Sequence, residues 1–175
     1  MSRTFGPDNA RLTVRTERTG AAAKAGHDLL IEVMSWSATL DVEADPALTL
    51  SVDPRSLRVL EGSGGMQALG DEDKASIAQT IDEEVLEGRP IEFRSTRVES
   101  GADGIPTRVE GELELAGERR PLTFELEAGA DGSLSGRAVV TQSEWGMKPY
   151  SALFGTLKVV DEIEVEFDGQ VAIPS

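Results

Sequence analysis

Most of the chain alternates between apolar and polar side chains one residue at a time. In "RLTVRTER" the apolar positions are Leu12 and Val14, and in "MSWSATLDVE" Trp36, Ala38, Leu40 and Val42 alternate with Ser37, Thr39, Asp41 and Glu43. "ALTLSVD" offers Leu48, Leu50 and Val52, and "IEFRSTRVE" follows in the second half. In "GELELAGERRPLTFELE" Glu112, Glu114, Glu125 and Glu127 stand against Leu113, Leu115, Phe124 and Leu126. "SLSGRAVVTQ" carries Leu134, Gly136, Ala138 and Val140, and "EIEVEFDGQVAI" sets Ile163, Val165 and Phe167 against Glu162, Glu164 and Glu166. Successive side chains of an extended strand point to opposite faces, so these runs predict strands with one buried and one wet face. They number seven to nine, depending on how "HDLLIEVM" is divided, and Asp45-Pro46, Gly101 to Pro106, Ala116-Gly117 and Asp131-Gly132 mark turns between them.

One segment keeps a different period. In "DEDKASIAQTIDEEVLE", residues 71–87, Ile77, Ala78, Ile81, Val85 and Leu86 recur at three- and four-residue intervals and form a stripe on an amphipathic helix. Asp71 is the expected N-cap and Gly88 the expected stop before Pro90. Glu83, Glu84 and Glu87 sit at the negative end of the helix dipole, so packing of the stripe must hold this helix more than propensity does. The Gly-rich "LEGSGGMQALG" before it lacks the Gly-Lys-Ser/Thr ending of a phosphate-binding loop.

Antiparallel strands in this number must hide their edges, and closure into a barrel does so most completely. The expected fold is therefore all-β, an eight-stranded antiparallel barrel with one helix over about residues 71–87, in a single domain covering residues 1–175. A barrel of about eight strands is either filled by side chains or holds one small ligand. The small inward positions Ala38, Gly111, Gly136 and Ala138 fit a hollow interior or a tightly interdigitated one equally well.

Composition narrows the partners. A formal charge of −15 repels nucleic-acid phosphates and anionic lipid headgroups, and the arginines at 108, 119, 120 and 137 are interleaved with glutamates rather than segregated into a patch. No nucleic-acid partner and no stable membrane insertion are expected. The chain has no cysteine, which removes disulfides, thiolate nucleophiles and cysteine-based metal sites. "MSRTFGPDNARLTV" has no apolar signal core, so the expected location is the cytoplasm.

Groups for catalysis are scarce. His27 is the single histidine, in "AGHDLLIE" at a strand start where a capping or hydrogen-bonding role suits it, and no Gly-x-Ser-x-Gly elbow accompanies it. The glutamates fall on the polar side of the strands and lack the Asp/Asn/Gly loop of a calcium site. No catalytic residue, metal or cofactor is expected, and a hydrolase or isomerase reading hangs on His27 alone. "SEWGMKPYSALFG" brings together Trp145, Met147, Tyr150 and Phe154 in a stretch too irregular for a strand and too apolar for a plain loop. It is either a plug closing one end of the barrel or a lid over a ligand cavity.

Taken in order, "GHDLLIEV", "WSATLDVE", "LTLSVDPRSLRV", "VLEGRPIEFRST", "GELELAGERRPLTFELE" and "SEWGMKPYSALFGTLKVVDEIEVEF" resemble the YceI family over about residues 11–173. That resemblance implies a lipocalin-like barrel with a helix set against it and a binding or carrier function for polyisoprenoid or other amphipathic lipid chains. The chain differs from relatives carrying a secretory signal, and has "GHDL" where many have a His-Ser pair. The expected interior residues are Trp36, Phe93, Leu113, Leu115, Phe124 and Leu126, with Trp145, Met147, Tyr150 and Phe154 shaping one end around an isoprenoid or fatty-acyl chain. The alternative is a filled-barrel interaction module, acting as a homodimer or a regulatory partner.

Overall fold

The computed structural model describes residues 2–20, 28–41, 47–63, 70–101, 106–129, 133–148, 151–152 and 157–170, and in these the alternating runs are strands. In chain order they are β1 (Ser2–Phe5), β2 (Ala10–Thr16), β3 (Arg18–Thr19), β4 (Asp28–Val33), β5 (Trp36–Asp41), β6 (Ala47–Val52), β7 (Leu57–Ser63), the helix α1 (Asp71–Thr80), β8 (Ile91–Ser100), β9 (Pro106–Leu115), β10 (Glu118–Ala128), β11 (Ser133–Thr141), β12 (Ser151–Ala152), β13 (Leu157–Val159) and β14 (Glu162–Gln170). Eleven of them form one antiparallel sheet in the order β1-β5-β6-β8-β9-β10-β11-β14-β2-β4-β7, and β12, β13 and β3 form a small second sheet.

The expectation of eight strands is thus corrected to eleven in the main sheet. The additional strands carry weak alternation. In β1, "SRTF", Phe5 is the one large apolar residue, and β7, "LRVLEGS", ends in Gly62 and Ser63. Partners supply what those sequences lack: β1 pairs with β5 through Phe5 and Ala38, and β7 pairs with β4 through Val59 and Ile31.

Chain connectivity forces the sheet to curl. β4 is tenth in the strand order and β5 second, yet Met34 and Ser35 alone join them, a link that spans no more than about 10 Å. The two sides of the sheet therefore face each other. Backbone hydrogen bonds from Met34 N–H to the Ser56 carbonyl (2.9 Å) and from Asp53 N–H to the Ser35 carbonyl (3.0 Å) fix this seam beside a 3₁₀ turn at Pro54–Ser56. Across the interior, Phe167 of β14 meets Phe5 edge-on with ring centroids 5.2 Å apart and Trp36 at 6.0 Å. β1 and β7, the outer strands of the order, are not paired with each other among the described residues, so the sheet is a curled half-barrel.

Helix α1 packs against β7 and runs on as a π-helical turn over Ile81–Leu86, in agreement with the expected span. Its N-cap is Gly70, one residue before the expected Asp71, because the Asp73 carboxylate turns back to accept the Gly70 N–H at 3.1 Å. The helix ends at Glu87, which adopts the left-handed conformation (φ 54°) ahead of Gly88 (φ 66°). Ile81, Val85 and Leu86 carry the expected stripe into the core.

Candidate functional site

The inward faces of the curled sheet meet at Phe5, Trp36 and Phe167 but not throughout. Among the described residues they border a partly open cavity of about 600 Å³. Inward parity explains its wall: Leu12 and Val14 of β2, Ile31 and Val33 of β4, Trp36, Ala38 and Leu40 of β5, Phe93 of β8, Leu113 and Leu115 of β9, Leu126 of β10 and Val165 of β14 all contribute. One face of the helical segment, including Ile77, Ile81 and Val85, forms the remaining side. Of the 39 described residues on the wall, only Thr16, Arg18, Ser76, Thr80, Arg137 and Gln142 have polar side chains. A wall this apolar offers water few hydrogen bonds and suits a hydrocarbon guest.

Trp36, Phe93, Leu113, Leu115, Phe124, Leu126 and Met147 are brought together on the cavity wall. Trp145 is not on the wall. It is 2% exposed, lies in the 3₁₀ turn Gln142–Trp145, and donates its indole N–H to the Leu113 carbonyl at 2.9 Å, pinning that turn to β9. Gly146 (φ 73°) reverses the chain after it, and Met147 beyond that turn is on the wall. Tyr150, Phe154 and His27 lie outside the described residues. The glutamate faces are external, as expected, with Glu164 paired to Arg137, Glu166 to Arg15 (3.4 Å) and Glu114 to Arg119 (3.8 Å). No three-residue cluster of metal-ligating side chains occurs among the described residues.

The small inward residues have an outcome that alternation alone leaves open. A Cβ at Gly111 would stand 2.6 Å from the Phe93 ring, and one at Gly136 would stand 2.7 Å from Leu126 Cδ2. Both glycines admit a neighbouring side chain instead of widening the cavity.

Three of these polar residues, Thr16, Arg18 and Gln142, lie near one another. Thr16 and Arg18 extend the inward parity of β2, and Val160 N–H donates to the Glu17 carbonyl at 2.8 Å. Gln142, 5% exposed, donates its amide to the Val160 carbonyl at 3.3 Å, so Arg18 and Gln142 are tied to the same short segment. Elsewhere on the wall, Phe5, Trp36 and Phe167 make an aromatic floor. The Trp36 indole N–H is buried there without a hydrogen-bond partner among the described residues. Thr16, Arg18, Gln142 and the helix residues were not among the candidates drawn from sequence. For Thr16 and Arg18 the signal was present, since they continue the even-numbered face of Leu12 and Val14.

Comparison with known proteins agrees with this geometry. Residues 31–171 match the family model described as a YceI-like domain. Among solved structures, BcnA of Burkholderia cenocepacia superposes with a TM-score of 0.55 at 15% identity, covering 91% of this chain and 94% of the other. A polyisoprenoid binding domain from Saccharophagus degradans, implicated in plant cell wall breakdown, gives a TM-score of 0.52 at 8% identity over 96% and 98%. A mutant CJ YCEI protein with a monobromobimane guest gives 0.50 at 12% identity over 80% and 84%. At these identities the likeness is one of fold. No curated protein sequence matches the chain.

Proposed function

The chain belongs to the YceI-like domain family, and from that premise we propose that it is a binding or carrier protein, not an enzyme, whose barrel takes up the apolar chain of an amphipathic lipid such as an isoprenoid or a long acyl chain. The observation that carries this reading is the cavity of about 600 Å³ with its nearly unbroken apolar wall. That volume holds on the order of twenty groups the size of a water or a methylene. Burying a chain of about ten methylenes contributes roughly 8 kcal/mol before ordering costs, enough for useful affinity without an ion pair. A polyisoprenoid binding domain among the structural neighbours supports the chemical class of the guest. Trp36, Phe93, Leu113, Leu115, Phe124, Leu126 and Met147 are the residues we assign to contact with it.

Native mass spectrometry of gently purified protein, followed by organic extraction, tests the proposal. One long-chain molecule per protein, or stoichiometric uptake of an added prenol or fatty alcohol, is the expected result. A protein that stays at its bare mass in the presence of both overturns it.

A further inference from the structure

One interval of the main sheet has no ladder. β10 and β11 pair from Ala128 with Leu134 up to Glu125 with Arg137, and no further. The register would continue through Phe124 and Ala138, Thr123 and Val139, and Leu122 and Val140. On this stretch β10 instead stays with β9 as far as Glu118, and β11 stays with β14 as far as Thr141. Each strand follows its other neighbour, so the two part like a fork. The Phe124 ring lies 5.4 Å from that of Phe93 in β8, and Gln142 N–H, just past β11, donates to the Asp161 carbonyl at 2.9 Å beside β14. Below the fork the fit is close, since a Cβ at Gly136 would stand 2.7 Å from Leu126 Cδ2. Pro121, which has no N–H to give, stands in the unladdered stretch, as prolines in sheets do where one side lacks a partner.

Among the described residues the cavity reaches the outer face here. Leu122, Phe124, Ala138 and Val140, on the two sides of the fork, are on its wall. So is Arg137 at the apex, although parity directs it outward and its side chain is 63% exposed. Leu122 and Phe124 are half-buried, whereas Leu126 below the apex is buried. On the outer lip Val139 is 50% exposed, a large apolar side chain on a face otherwise set with Arg137, Glu162 and Glu164. Resting on the lipid-binding reading, we infer that this fork is the passage through which the guest's apolar chain enters and leaves the cavity sideways. Laddered strands stand about 4.8 Å apart with backbone hydrogen bonds filling the space between them, and a chain crossing there has to break several. At the fork no β10–β11 ladder bond has to break, and the chain passes along Val139, Leu122 and Phe124 as it leaves water.

The chain has no cysteine, so a pair introduced across the fork reacts alone. Thr123→Cys with Val139→Cys puts thiols at outward positions on its two sides, off the cavity wall, and bis(maleimido)ethane then ties the strands together. Glu127→Cys with Ser135→Cys is the control, tied where the strands are already paired. Uptake and release of parinaryl alcohol, a fluorescent long-chain alcohol, are followed by stopped flow before and after linking. Linking across the fork is expected to slow both rates together by about tenfold or more and to leave Kd within about twofold, because closing a passage changes the barrier and not the stored state. Linking after loading should hold the alcohol through a wash that empties the unlinked protein. The control pair should exchange at the same rates linked and unlinked. A fork-linked protein that exchanges as fast as the unlinked one overturns the inference. Equal slowing in both linked pairs overturns it too, by making stiffness of the sheet the cause, and so does slower release with unchanged uptake, which is tighter holding. If the unlinked protein takes up no alcohol at all, the lipid-binding reading falls and takes this inference with it.

Discussion

Gly111 is small because two neighbours need its space. A Cβ there would stand 2.6 Å from Phe93 Cζ and 2.8 Å from Ser95 Cα, and would also collide with the Arg94 carbonyl oxygen. The pairing of β8 with β9 slips between Ser95 and Arg97, directly opposite, so the glycine sits where a bulge presses two backbones together. Gly111→Ala should therefore lower stability by about 2 kcal/mol, read as a shift of the urea midpoint at unchanged slope. Alternation placed Gly111 and Gly136 on the inner face, but their effect on cavity volume depends on where Phe93 and Leu126 point, which no pattern encodes. The two tryptophans make a second comparison at this scale. Trp36 lines the cavity, and Trp145, expected at one end of it, is buried in the turn Gln142–Trp145. A chain-brominated alcohol should quench part of the tryptophan fluorescence in wild type and almost none in Trp36→Phe. Retained quenching in that variant would place the guest elsewhere. The substitution also removes an indole N–H that is buried without a partner among the described residues, which limits its cost.

Among the elements, the helix was the most legible and its ends the least. The stripe from Ile77 to Leu86 follows from period alone, since no strand places those residues on one face. The N-cap moved from Asp71 to Gly70 because the reach of the Asp73 carboxylate decided it, and the C-terminus rests on Glu87 at φ 54°. That residue carries the cost of a left-handed backbone and puts a negative charge at the negative end of the dipole, while its pair with Arg89 (3.6 Å) is exposed. Glu87→Gly should raise stability by about 0.5–1 kcal/mol in denaturant titrations, whereas a loss would show that the Arg89 contact outweighs the backbone term. The hairpin of β9 and β10 was read correctly as a wet-and-greasy pair. Its turn is the two residues Ala116 (φ 52°) and Gly117 (φ 82°), with Arg119 and Arg120 already paired in β10. β1 and β7 were missed because their strand character comes from partners distant in sequence, and residue propensity carries no record of those partners.

For the molecule as a whole, alternation with frequent turns was enough to give the all-β class and the barrel-like closure. Strand number was not, since the short members of the sheet are recruited by pairing. The outer glutamates leave a formal charge of −15, so like charges repel across the exterior of the folded sheet. Raising sodium chloride from about 0.02 to 0.5 M shortens the Debye length severalfold and should raise the melting temperature, and a fall would mean that the surface ion pairs dominate. The same carboxylates keep the outside wet while the described interior is nearly free of polar groups, a contrast that supports the proposed placement of a guest's chain in the interior. The affinity of a homologous series of straight-chain alcohols, measured by titration calorimetry, bears on that assignment most directly. Each added methylene should tighten binding roughly fourfold, about 0.8 kcal/mol, until the cavity is full, after which the gain should stop. An affinity independent of chain length, or no binding at any length, would contradict the account.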